Sequence, residues 1–195
     1  MLRRIFVVLL SMVIALLVIG FMLPSSVVVE RERSIDQPAE VLFEVMSDLR
    51  HFVMWTPWLD SQDPDAFRLE GPPDGVGATL VWREGSEAGT SRMRIVAVDP
   101  SERVDLELEF GESEAEGWFR IEPDGLGHRV IWGVSMRFGP LDLVGRYFGL
   151  IMPALIGSEY ERGLERLDTY LGDTPGQVPE PPDHFDDQLL DRRSG

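Results

Sequence analysis

Residues 5 to 23, IFVVLLSMVIALLVIGFML, form one apolar run without a charge, preceded by Arg3 and Arg4. As a helix rising ~1.5 Å per residue, it reaches about 28 Å. That nearly matches a hydrocarbon core of roughly 30 Å. A cleaved signal peptide has a shorter apolar region and small residues at its cleavage site. Here Phe21, Met22 and Leu23 fill the end, and Pro24-Ser25-Ser26 is a poor cleavage signal. The run therefore reads as a retained anchor spanning residues 1–25. Arg3 and Arg4 mark the short side, whereas Arg31 and Arg33 beyond the run alternate with Glu30 and Glu32. Basic residues favour the cytoplasmic side. The expectation is a single-pass membrane protein, N-terminus cytoplasmic, with its C-terminal domain outside the cytoplasm.

The net charge of the 195-residue chain is −16, and all its basic residues are arginines. Such a field repels phosphate-rich partners, so nucleic acid is not an expected ligand. The absence of cysteine removes disulfides, thiolate catalysis and cysteine-held zinc. No H-E-x-x-H, G-x-S-x-G, Walker or G-x-G-x-x-G pattern is present. Asp60, Asp63 and Asp65 lack the spacing of a calcium loop. His51, His128 and His184 lie far apart in sequence, although His51 could pair with Asp48 or Asp60. No catalytic residue, metal or cofactor is assigned.

Residues 26 to 35 begin β-branched and then alternate, which predicts a strand. Asp36 is a candidate helix cap, with Pro38 in the first turn. Val41, Leu42, Val45 and Met46 then share one face of a short helix. A second short helix is expected from Asp48, carrying Leu49, Phe52, Val53 and Trp55 and ending at Pro57. Period-two patterning follows in six segments: 66–71, 77–84, 89–98, 104–110, 115–122 and 130–138. Between 104 and 110, Val104, Leu106, Leu108 and Phe110 alternate with Asp105, Glu107 and Glu109. Tight turns between these segments predict hairpins and an antiparallel sheet. From Asp142 the period becomes helical, with a kink or break expected near Pro153 and Gly157. Tyr160, Leu164, Leu167 and Leu171 make one face, and Gly172 is a candidate stop. Residues 173–195 are rich in Pro and Asp and are expected to be a disordered acidic tail.

This α+β order resembles the helix-grip fold of the START-like superfamily, also called the SRPBCC or polyketide cyclase/dehydrase-like group. Three segments carry the likeness: IDQPAEVLFEVMSDLRHFVMWTPW (35–58), GVGATLVW (75–82) and GLIMPALIGSEYERGLERLDTYL (149–171). The resemblance covers residues 26–172 and implies a twisted antiparallel sheet wrapped around a long C-terminal helix. It also implies a hydrophobic cavity, used by most members to bind or carry lipids, steroids or polyketides. A minority are cyclases.

Cavity candidates follow. Indole rings combine large apolar area with one N–H donor, which selects Trp55, Trp58, Trp82 and Trp132; alternation turns Trp118 outward. Met93, Leu106, Leu108, Val134 and Met136 occupy the expected inner strand face. Tyr147, Phe148 and Met152 stand at the start of the closing helical region. Arg92, Arg94 and Arg137 are assigned to the solvated face. The first expectation is a membrane-tethered, non-catalytic module for an apolar small molecule or lipid. The alternatives are a cyclase or dehydratase, and an envelope stress or interaction protein using the acidic tail. Oligomeric state is left open.

Overall fold

The computed structural model describes residues 2–59, 67–83, 89–111, 113–172 and 175–180. Helix α1 runs over Leu2–Met22 with nearly all of its side chains exposed. It is long and apolar enough to cross a membrane. Strand β1 (Ser26–Ile35) follows directly. Two short helices come next, α2 (Ala39–Ser47) and α3 (Leu49–Trp55), then a 3-10 turn over Pro57–Leu59.

Asp48 caps α3 by accepting the Arg50 backbone N–H at 2.8 Å. Asp36 does not cap α2. Pro38 occupies that position without a side-chain hydrogen bond. The intervening Gln37 side chain donates to the carbonyl of Gly172, just past the C-terminal helix.

Six further strands complete one antiparallel sheet: β2 (Phe67–Glu70), β3 (Thr79–Arg83), β4 (Thr90–Asp99), β5 (Arg103–Phe110), β6 (Ser113–Asp124) and β7 (Gly127–Arg137). Their spatial order is β1-β7-β6-β5-β4-β3-β2. Consecutive strands from β2 to β7 pair as neighbours, and β1 closes against β7. Period-two alternation then sorts side chains by face. One inward row crosses the whole sheet through Val27, Met136, Ala115, Leu108, Met93, Leu80 and Leu69. The outer face carries cross-strand ion pairs, including Arg92–Glu109, Arg94–Glu107 and Arg137–Glu116. Trp118 lies there too, its indole N–H donating to Glu30 at 3.0 Å. Its ring covers Gly133, where any Cβ would collide with it.

The C-terminal helical region is two helices, α4 (Leu143–Gly149) and α5 (Met152–Leu171). The break falls at Leu150 and Ile151, ahead of both residues expected to cause it. Pro153 lies in the first turn of α5, where a missing N–H costs little. Gly157 continues the helix and lies beneath the Arg31 guanidinium. Helix α5 packs chiefly on β1, fastened by Arg31–Glu161 at 2.5 Å and Arg33–Asp168 at 2.8 Å.

Of the stretch 173–195, residues 175–180 are described. The Gly176 N–H donates to Gln37, and Val178 packs on the core. Residues 181–195, with His184, and residues 60–66, with Asp60, Asp63 and Asp65, lie outside the described residues.

Candidate functional site

The inner sheet face, α3 and α5 meet around an aromatic cluster. Alternation delivers Trp132 from β7 and Phe119 from β6, which are Cα partners in the register. The α3 spacing delivers Phe52 and Trp55 on one helical face. Trp55 is wholly buried and meets Phe52 and Trp132 edge-on, with centroids 4.9 and 5.3 Å away. Tyr160 from α5 stacks flat on Trp132 at 3.9 Å. Along the middle of α5, therefore, rings fill the interface with the sheet. The hydrophobic cavity that the family resemblance implies is occupied by rings along that stretch. Alternating residues left room that large aromatic side chains occupy.

Toward β2–β5 the aromatic array continues and becomes less enclosed. Trp58, half-buried after α3, lies 5.3 Å from Trp132 and 6.4 Å from Trp82 between ring centroids. Trp82 in turn meets Phe110 edge-on at 6.0 Å. Phe67, Trp82, Ser91 and Phe110 form one inward row across β2, β3, β4 and β5. Trp82 is buried, whereas Phe67 and Phe110 are half-buried. This end of the sheet is a ring-lined wall with partial access to solvent.

Two buried polar atoms stand out, one on Trp55 in the filled ring cluster and one on Ser91 in the inward row with Trp82 and Phe110. The Trp55 Nε1 and the Ser91 Oγ are buried and have no hydrogen-bond partner among the described residues. A buried donor left unsatisfied costs roughly 1–3 kcal/mol. Both residues are 0% exposed.

Titratable groups lie mostly elsewhere. His51 is buried between α3 and α5, its Nδ1 2.8 Å from the Tyr170 hydroxyl. Burial lowers the His51 pKa, opposed by the nearby Asp48 and Glu44 carboxylates and reinforced by Arg50. Burial, then Asp48, raises that of Tyr170. Asp48 itself is chelated by the Arg50 guanidinium, at 2.6 Å for the closest contact. Among the described residues, Tyr160 is the shifted group that faces the aromatic interior. Burial pushes its phenol far above the ordinary value, so it stays protonated. Among the described residues no three His, Asp or Glu side chains gather as a metal-ligand set.

The residues selected from sequence thus distribute as follows. Trp55, Trp58, Trp82 and Trp132 belong to the ring array. Met93, Leu106, Leu108, Val134 and Met136 lie on the inward strand face, all buried except the half-buried Met136. Met152 is buried at the start of α5. Tyr147 and Phe148 sit apart, on α4 beside α1, where the Tyr147 hydroxyl donates to the Leu16 carbonyl at 2.6 Å. Ser91 was not selected from sequence, although it shares the parity of Met93 and Ile95. Phe52, Phe67 and Phe119 were likewise passed over, because phenylalanine on an apolar face does not differ in pattern from ordinary core.

A seven-stranded antiparallel sheet gripping a long C-terminal helix, with aromatic side chains between them, defines the helix-grip class of α+β domain. The chain belongs to the family described as polyketide cyclase / dehydrase and lipid transport, whose model matches residues 26–172. Solved structures share the fold at low identity. KanY aligns with a TM-score of 0.59 and 13% identity, over 77% of this chain and 100% of its own. Protein CV1439 from Chromobacterium violaceum aligns at 0.54 and 14%, over 75% and 98%. DynU16, a putative protein in the dynemicin biosynthetic locus, aligns at 0.52 and 16%, over 74% of this chain and 46% of its own. No curated protein matches.

Proposed function

We propose that this chain is a membrane-tethered binding module for a hydrophobic small molecule or lipid, with α1 as the anchor. Its N-terminus lies in the cytoplasm and residues 26–172 lie on the other side. The ligand occupies the ring-lined end of the interior around Trp58, Trp82, Met93 and Phe110. The observation that carries this reading is a pair of buried donors without a partner among the described residues, Trp55 Nε1 in the ring cluster and Ser91 Oγ in the inward row with Trp82 and Phe110. Apolar surface removed from water contributes ~25 cal/mol per Å², and the two donors orient oxygens of the ligand. A tether adds access, because such ligands partition into the bilayer beside the domain.

This interior binds its ligand rather than transferring a proton to it. Tyr160, the shifted group on this interior, is a protonated donor and not a base. His51 faces Tyr170 between helices instead.

The test is a titration of the full chain in lipid nanodiscs with an anilinonaphthalene fluorophore, read by energy transfer from tryptophan. Saturable transfer that a hydroxylated polycyclic competitor reverses supports the proposal. Ser91→Trp should abolish it by filling the site. Transfer that rises only in proportion to lipid, unchanged by Ser91→Trp, rejects it.

A further inference from the structure

Helix α4 lies alongside the last turns of α1. The Tyr147 hydroxyl donates to the Leu16 carbonyl, and Tyr147 and Leu143 pack over Gly20. Arg146 donates to the carbonyls of Phe21 and Leu23, at 3.4 and 3.2 Å. It therefore caps the C-terminal end of α1, where a cation also meets the negative end of the helix dipole. Leu16 lies six residues before Met22, a depth of ~9 Å along the helix. A segment bonded there cannot stay above a bilayer that α1 crosses.

The composition of the segment agrees. Between Leu143 and Ser158 the only charged residue is Arg146, and its charge is directed at α1. Leu141 and Val144 are more than four-fifths exposed, at 83% and 82%. Phe148, Leu150, Ile151 and Leu155 are about half exposed. Val144 and Phe148 lie one turn apart on α4, and Leu150, Ile151 and Leu155 carry exposed apolar side chains through the break into α5. Interfacial segments bury such faces ~5–10 Å deep.

We infer that residues 143–155 are themselves inserted among the acyl chains of the leaflet from which α1 emerges, as a second membrane contact. This rests on the reading of α1 as the anchor. It fixes the domain's orientation, holding the α4–α5 corner in the lipid.

The chain has no cysteine, so single-cysteine variants of the full chain can be spin-labelled cleanly. Val144→Cys and Phe148→Cys report the segment. Val13→Cys reports α1, and Leu126→Cys in the β6–β7 turn reports the aqueous domain. In phosphatidylcholine–phosphatidylglycerol vesicles, accessibility to oxygen and to a nickel chelate is compared by power saturation. The expected result is an oxygen-to-nickel ratio at Val144 and Phe148 severalfold above that at Leu126, like that at Val13. Ratios equal to Leu126, with Val13 still in lipid, overturn the inference and leave the anchor standing. An aqueous Val13 overturns both. Labels shielded from both reagents, with spectra that narrow on dilution with unlabelled protein, place a second copy on this face and also overturn the inference.

Discussion

Tyr160 lies flat on Trp132, with ring planes 6° from parallel, and Gly163 one turn later presses on the same indole. A Cβ at Gly163 would sit 2.5 Å from Trp132 Cζ3 and 3.2 Å from Pro57. Helix α5 is therefore seated by a ring that needs a missing side chain beneath it. The stack closes the middle of the interior, whereas the Trp58–Trp82–Phe110 end is less enclosed.

Gly163→Ala raises helix propensity by ~1 kcal/mol. Overpacking against Trp132 and Pro57 costs about 1–3 kcal/mol. The expected net effect is lower stability, read as a reduced denaturation midpoint in nanodiscs. An increase would mean that the α5–Trp132 contact is looser than described.

Trp55→Phe and Ser91→Ala separate binding from folding. Each removes a buried donor without a partner among the described residues. Stability should hold or rise, by up to about 1–3 kcal/mol. Ligand affinity should fall by a hydrogen bond, ~0.5–1.5 kcal/mol. A matched loss of stability would assign these atoms to the fold alone. The pair of readouts is thermal unfolding and fluorophore titration.

The buried His51 makes stability depend on pH with a definite sign. Its pKa in the folded protein lies below the unfolded value of about 6.5. The unfolded chain therefore binds more protons as pH falls, and folding weakens with acid. The His51 contribution is fully present above the unfolded pKa and is lost as pH drops through and below it. His51→Phe should flatten the stability profile between neutral pH and about 5. A profile unchanged by the substitution would contradict the burial of this ring.

The Arg33–Asp168 pair fastens α5 to β1, yet both side chains are more than one-third exposed. Such pairs contribute about 0.2–1 kcal/mol. A double-mutant cycle with Arg33→Ala and Asp168→Ala should return a coupling in that range that fades in high salt. A larger coupling would mean that the edge strand holds α5 by charge more than by packing.

Much of the fold was legible because period two is written directly into residues such as Val104, Leu106 and Leu108, with acids between them. The same alternation correctly assigned Arg92, Arg94 and Trp118 to the outer face. Local rules failed where tertiary partners decided. Asp36 looked like a cap, but Pro38 begins α2 and Gln37 is held by residues near the other terminus. Pro153 looked like a break, but it sits where a first turn tolerates it. The meeting of His51 with Tyr170, 119 positions apart, has no local signature. Nor has the contact of Tyr147 with Leu16, across 131 positions. Ser91 was carried by the strand's phase, but a lone serine gains meaning only when its burial and lack of a partner are seen.

The decisive property is whether the interior takes up a hydrophobic guest. Native mass spectrometry of the full chain, released from nanodiscs prepared from its own host membrane, measures this. The expected result is a mass increment from one hydrophobic, oxygen-bearing molecule per chain that survives mild activation and is lost in Ser91→Trp. Protein that is bare in every preparation, or increments that match bulk lipid and ignore Ser91→Trp, would contradict it.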